Sequence, residues 1–204
     1  TITFSLYNTA SLVNRTYYTT GVRTINWTSL PDEVYRYNVS VNDTSNNLNS
    51  TETRYITLDT AVPQVNLTYP VNTSYTSVQT RLNYTASDAA LSACWYSTDN
   101  GATNTTITCG QNVTGLNSGQ GSSTWIVYAN DTVGNQNSSN VTFFVDSANP
   151  TIQFASPTET SGSTSTRNYI QVNASASDTN LNTITIRLYD SAHSLLRTNY
   201  SLSS

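Results

Sequence analysis

The sequence contains no lysine and no methionine, and only one histidine in 204 residues. Its eight basic residues are all arginine (Arg15, Arg23, Arg36, Arg54, Arg81, Arg167, Arg187 and Arg197), scattered singly, with a net charge of −4 and a pI near 4.6. Phosphate polymers are held by clustered positive charge, so this balance argues against a nucleic-acid partner. The missing lysine also removes any Lys–Asn isopeptide staple. Charged residues make up 10% of the chain, against about 25% in ordinary soluble domains, so Ser, Thr and Asn must hydrate the surface. No apolar run approaches the roughly 18 residues needed to cross a bilayer. The opening TITFSL lacks the basic region and apolar core of a signal peptide, so any targeting or anchoring segment is expected to lie outside this stretch or to have been removed.

The lone histidine, His193, sits in the polar turn Asp190-Ser191-Ala192-His193-Ser194. A catalytic triad needs a base held by an acid beside a nucleophile. Nothing here supplies that set, and we expect a surface residue, no catalytic residues and no enzyme. The two cysteines bracket CWYSTDNGATNTTITC. Two strand-like runs joined at Asp99-Asn100-Gly101 would bring Cys94 and Cys109 together, which predicts a hairpin disulfide and an oxidising, extracellular compartment. The other reading is two unpaired structural thiols. A zinc site would normally need four ligands, and the spacing does not provide them.

The chain repeats itself. YNVSVNDTSNNLNSTETRYITLDTAVP (37–63) parallels WIVYANDTVGNQNSSNVTFFVDSANP (125–150), with Asp59 matching Asp146 and Pro63 matching Pro150 at an offset of 87. Ala86-Ser87-Asp88 matches Ala176-Ser177-Asp178 at an offset of 90, and the two ends match at 182, with Ile2, Leu6, Tyr7, Ala10 and Arg15 against Ile184, Leu188, Tyr189, Ala192 and Arg197. These offsets predict one complete unit at 61–147, preceded by the C-terminal part of a unit at 1–60 and followed by the N-terminal part of another at 148–204. Residues 2–22 and 184–204 duplicate the same strands, which favours a window from a longer repeat protein over a subunit that closes head-to-tail on its copies.

Within the units the apolar period is two, the signature of strands. The middle unit is expected to carry strands near 64–69, 80–87, 92–98, 105–109, 123–130 and 140–146. Turn residues separate them, namely Pro70, Asn100-Gly101, Gly115, Gly119 to Gly121 and Gly134-Asn135. No run has helical spacing, and the abundance of Thr, Val, Ile and Tyr favours strands. This density of strands predicts an all-β fold of tandem β-sandwiches.

The quoted pair YNVSVNDTSNN…ITLDTAVP and WIVYANDTVGN…FFVDSANP resembles the last two strands and linker of tandem Ig-like domains in prokaryotic, especially archaeal, cell-surface proteins. The shared pattern is an alternating strand, an Asn/Thr-Asp-x-x-Gly-Asn hairpin, a second alternating strand, and Val-Asp-x-x-x-Pro into the next domain. Asn47 stands where the first hairpin would have Gly. The resemblance implies an extracellular Ig-like array, one complete unit flanked by two partial ones; it does not identify a function.

Fifteen Asn-x-Ser/Thr triplets with x not Pro are glycan acceptor candidates: Asn14, Asn26, Asn38, Asn42, Asn49, Asn66, Asn72, Asn83, Asn104, Asn112, Asn130, Asn137, Asn140, Asn173 and Asn199. Side chains alternate faces along a strand, which makes their phase informative. Asn38 and Asn42 lie opposite Tyr35, Tyr37, Val39 and Val41. Asn26, Asn66, Asn83, Asn130, Asn140 and Asn173 are likewise out of phase with apolar neighbours. Amphipathicity alone would require a polar residue there, without requiring Asn followed two places later by Ser or Thr. Dense N-glycosylation is expected, and bulky sugars would also guard exposed sheet edges in a chain without lysine.

The carboxylates Asp43, Asp59, Asp88, Asp131, Asp146 and Asp178 sit at turns and linkers and are expected to cap turns. A lesser alternative is calcium at the junctions, where Asp59 or Asp146 would meet Asp88 or Asp178. No cofactor or metal is otherwise expected beyond covalent N-glycans. Trp27 and Trp125 are in phase with apolar neighbours and belong in a core, while Trp95 would pack on the disulfide. Two functions follow: a structural, heavily glycosylated repeat forming a surface layer, stalk or filament, with copies of itself or neighbouring repeats as head-to-tail partners; or an adhesin or carbohydrate-binding tandem module.

Overall fold

A computed structural model describes residues 1–21 and 24–202, and its regular elements are β-strands throughout, with no helix among the described residues. The first stretch forms β1 (Ile2–Tyr7), β2 (Leu12–Tyr18), β3 (Glu33–Asn42), β4 (Leu48–Ser50) and β5 (Arg54–Leu58). They build one antiparallel sheet in the order β2-β1-β3-β4, with β5 also paired to β3. Phe4 pairs with Val39 and Leu6 with Tyr37, so one face carries the apolar set. Residues 24–28 form no strand, contrary to the alternation expected around Asn26. Ser29 adopts φ 57° and Pro31 follows, a combination that breaks an extended run. Trp27 is half-buried beside Tyr37, and its indole N–H donates to Asn14 Oδ1 at 3.3 Å.

The middle stretch contains β6 (Gln64–Tyr69), β7 (Ser74–Tyr75), β8 (Arg81–Ser87), β9 (Leu91–Ser97), β10 (Thr105–Ile107), β11 (Val113–Thr114), β12 (Gly121–Asp131) and β13 (Gln136–Val145). A five-stranded sheet, β10-β9-β12-β13-β7, faces a three-stranded sheet, β11-β8-β6. The six longer strands fall on the expected runs, but β13 begins at Gln136, four residues before the expected start, and β10 ends at Ile107, two before the expected end. The extra edge strands β7 and β11 are two residues each, too short for a period of two to be visible. Between the sheets lie Leu82, Tyr84, Cys94, Trp125, Val127, Ala129, Phe143 and Val145. Trp125 meets the edge of Phe143 at 5.2 Å, and Tyr75 caps Phe143 at 5.7 Å. Such aromatic edge-to-face pairs add to area burial.

The last stretch forms two antiparallel pairs: β14 (Thr151–Ala155) with β15 (Asn173–Ser177), and β16 (Thr183–Tyr189) with β17 (Leu195–Leu202). The register of β14 and β15 reproduces that of β6 and β8. Ile152 pairs with Ala176 as Val65 pairs with Ala86, and Phe154 pairs with Ala174 as Leu67 pairs with Tyr84. The first sheet likewise copies the five-stranded sheet, since Ile2 pairs with Val41 as Cys94 pairs with Ala129. Among the described residues no three-stranded layer lies over β1–β5. On the apolar face of that sheet Phe4, Leu6 and Tyr35 are buried, with Trp27 beside Tyr37 and the Tyr35 hydroxyl donating to the Pro31 carbonyl, but parts of the face stay exposed. Val41 is 48% exposed where Ala129 is 0%, and Ile56 is 48% exposed where Phe143 is 2%. On β14, Ile152 and Phe154 are exposed where Val65 and Leu67 are half-buried.

The register also corrects the position of the departure from the hairpin pattern. The residue that takes the place of Gly134 is Asn46, not Asn47, and both adopt left-handed backbone, φ 66° and 98°. Asparagine tolerates that region better than other side chains do. Asn47 corresponds to Asn135: each donates its backbone N–H and its side-chain amide to the preceding Asp, Asp43 or Asp131.

Candidate functional site

The acceptor asparagines divide by burial and by what their side-chain amides already hold. Asn14, Asn26, Asn49, Asn66, Asn72, Asn104, Asn112, Asn140, Asn173 and Asn199 are exposed, whereas Asn38, Asn42, Asn83, Asn130 and Asn137 are half-buried. The nitrogen Nδ2 is the atom a glycan would take. Asn137 Nδ2 donates to the Pro63 carbonyl at 2.9 Å, and Asn173 Nδ2 donates to the Ser156 carbonyl at 2.8 Å. Asn130 and Asn112 instead use their oxygens, accepting from the backbone of Ala93 and Tyr84. Strand phase correctly places most acceptors away from the core. It could not show which amides brace the backbone, because that depends on partners distant in sequence.

The turn carboxylates behave as caps. Asp59, Asp88, Asp146 and Asp178 each accept a backbone N–H from two residues on, and Asp43 accepts from Ser45 and Asn47. Asp131 is buried, and its Oδ1 accepts from Val133, Gly134 and Asn135 while Oδ2 accepts from the Asn135 side chain. Burial pushes its pKa up, but the Asn135 side chain and the three amides outweigh that and leave it below the ordinary carboxylate value. Asn135 Nδ2 also reaches the Asp59 carbonyl, so this turn clasps the incoming linker.

At that junction, oxygens of Asp59, Asp88 and Asp131 come within 4.8 Å of one another. These are the described residues that could hold a cation, and Asp59 meets Asp88 as the sequence suggested. Calcium takes roughly six to eight oxygens, however, and both oxygens of Asp131 are already engaged by N–H groups. Capping accounts for the arrangement as it stands. At the next junction Asp146 accepts from Asn180 Nδ2 at 2.7 Å.

The loop between β9 and β10 has its own anchored acid. Asp99 accepts from the Ser97 hydroxyl at 2.6 Å and from the Thr103 hydroxyl and backbone N–H. The Ser97 bond, then those from Thr103, hold its pKa at about 2. An unfolded Asp titrates near ~3.9, so the folded-state pKa lies lower and the unfolded chain takes up the proton first. The stabilisation from Asp99, and from Asp131 by the same sign, is therefore complete above about pH 4 and lost as acid passes through the folded pKa. Thermal melts between about pH 5 and pH 2 should show a falling midpoint, and Asp99→Asn should flatten that fall.

Cys94 and Cys109 form a disulfide with a Cα separation of 5.2 Å. Cys94 points into the core, whereas Trp95, one residue on, points to the opposite face. There it stacks on Tyr128 at 5.5 Å and 9°, not on the disulfide as expected. His193 is exposed in its turn with φ 62°, and its N–H donates to the Asp190 carbonyl at 3.1 Å.

No family model and no curated protein matches this chain. Among solved structures it is similar to the fibronectin(III)-like modules of Clostridium thermocellum CbhA, at 18% identity and a TM-score of 0.41, over 70% of this chain and 77% of that one. It is also similar to a tetra-tandem repeat from the extending region of a large adhesion protein, at 21% identity and a TM-score of 0.39. That match covers 98% of this chain and spans 55% of the other. The all-β sandwich architecture itself rests on the strand pairing described above. No helix among the described residues is long and apolar enough to cross a membrane.

Proposed function

We propose that this chain is part of a structural, N-glycosylated extracellular repeat protein that builds a surface layer, stalk or filament. The observation that carries this reading is the repeated sandwich whose exposed acceptor asparagines lie away from the packed core. The disulfide supports an oxidising compartment, and the resemblance to archaeal surface domains suggests the kind of cell. The short Pro-containing linker, held by Asn135 and Asn137 against Asp59 and Pro63, would restrict bending between units. The exposed apolar residues of β1–β5, Val41 and Ile56, and of β14, Ile152 and Phe154, would be covered by sheets of neighbouring repeats, in the same chain or in a head-to-tail copy.

Intact-mass measurement of the native polypeptide before and after chemical deglycosylation tests the reading. A drop in mass is expected, with sugar mapped to exposed acceptors such as Asn66 and Asn140; no drop would overturn it. The same measurement places the core against 22.2 kDa. A much larger core would mean that covering sheets come from the same chain, and a core of that size would mean that they come from copies. The adhesin or carbohydrate-binding alternative is favoured by one observation, the aromatic pair on the outer face of the middle sandwich.

A further inference from the structure

That pair has a setting which the fold alone does not demand. Trp95 on β9 and Tyr128 on β12 are direct cross-strand partners on the solvent side of the five-stranded sheet, both half-buried. The equivalent places in the first sheet hold Thr3 opposite Ser40. The same sheet order thus forms with two small hydroxyl residues there, and the aromatic pair is specific to the middle unit.

The two rings lie parallel at 5.5 Å, so each turns one face to its partner and the other toward the next strand of the sheet. The outer face of Trp95 is on the β10 side, where its neighbour is Thr106. Thr106 is the hydroxyl residue of the acceptor triplet Asn104-Thr105-Thr106. The outer face of Tyr128 is on the β13 side, where its direct neighbour is Ser138. There Asn140, the acceptor of Asn140-Val141-Thr142, stands opposite Ile126, one step along the same face. The Tyr128 hydroxyl leans toward Ile126 and the β9–β10 loop. A Cβ on Gly101 would lie 3.3 Å from that hydroxyl and 3.9 Å from Ile126 Cδ1, at a backbone φ of 88° suited to glycine. The pair is therefore bracketed by two exposed acceptors, one on each side, with a glycine making room for the Tyr128 hydroxyl.

We propose that the Trp95–Tyr128 pair seats the inner sugars of the protein's own N-linked glycans on Asn104 and Asn140. This rests on the glycoprotein reading above. The physical basis is the negative face of an aromatic ring, which attracts the weakly positive C–H bonds on one face of a pyranose. A sugar tethered to a neighbouring residue meets that face at high effective concentration and with little further loss of freedom. Seating would turn a flexible surface glycan into a fixed patch over the sheet and link sugar occupancy to stability.

The test uses the glycoprotein from its native host, with glycopeptide mapping at Asn104 and Asn140. NMR of the intact wild-type protein should show sugar C–H resonances from these two glycans moved upfield by the ring currents, relative to the glycans on other sites. Removing the sugars should lower the melting midpoint of the wild type. In a Trp95→Thr/Tyr128→Ser variant, which carries the first unit's own residues, that loss should shrink to the measurement error. Equal losses in both proteins, or unshifted sugar resonances, would overturn the proposal. Sugar found elsewhere but on neither Asn104 nor Asn140 overturns it and leaves the glycoprotein reading standing; sugar on no acceptor overturns both. If attached glycans show no ring-current shift while an added free oligosaccharide shifts the Trp95 signals, the proposal fails in favour of the binding-module reading.

Discussion

Replacing Trp125 by alanine is expected to destabilise the middle sandwich by about 3–5 kcal/mol. Trp125 is 0% exposed and lies at the centre of the core. It meets the edge of Phe143 and pairs across β12 and β13 with Val141. Truncation removes this area from both sheets and opens a cavity that rigid strand neighbours cannot collapse into. The loss is a large part of the roughly 5–15 kcal/mol that holds a typical domain together. Denaturant melts followed by far-UV circular dichroism, with hydrogen exchange read on β12, would show it. A midpoint shift no larger than that of a surface substitution would contradict this account of the core. Trp125→Phe supplies the internal comparison. The indole N–H has no hydrogen-bond partner, so phenylalanine keeps most of the packing and discards a buried unpaired donor. Its cost should be well below that of alanine.

Much of this architecture could be read from the chain because two local signals agree. Alternation in WIVYA places Trp125, Val127 and Ala129 on one face, and the NDT-x-Gly-Asn hairpin fixes where the next strand begins. The internal offsets then carry that assignment to β3, β5, β14 and β15 without further assumptions. What could not be read depends on contacts between distant segments. Residues 24–28 look like a strand by phase but pair with no strand among the described residues. The sequence sets Trp95 beside Cys94, yet adjacent residues on a strand face opposite ways, and its partner Tyr128 lies 33 positions on. Asp131 gives a related lesson. Its role as a turn cap is visible from local sequence, but its approach to Asp59 and Asp88 joins segments distant in the chain. The acceptor asparagines were legible as a class. Their division into free amides and amides that brace a linker, as at Asn137, was not.

The repeat also separates what the fold requires from what one unit has added. Val39 and Val127 occupy the same core place, whereas Cys94 corresponds to Ile2 and Ile184. A sheet of this order therefore folds without the disulfide, and the bridge must serve something particular to the middle unit. Cys94 belongs to the five-stranded sheet, while Cys109 lies on the segment that leaves β10 and crosses to β11 in the three-stranded sheet. That crossing is otherwise held by modest bonds. The Tyr84 hydroxyl donates to the Thr108 carbonyl at 3.3 Å and accepts from the Gly110 N–H at 3.2 Å, and Asn112 Oδ1 accepts from the Tyr84 N–H at 3.1 Å. Closing a loop with a sequence separation of 15 is worth about 3 kcal/mol in the chain-entropy account. The Cys94→Ala/Cys109→Ala variant is accordingly expected to lose about that much. The loss should also be uneven, because local opening begins where burial and bonding are thinnest. Hydrogen exchange should rise first at residues 108–116, including the short edge strand β11, while the long β12–β13 hairpin keeps its protection. Uniform loss across both sheets would instead mean that the bridge acts on the unfolded chain alone. Early opening of the crossing would mean that it clamps the two layers together.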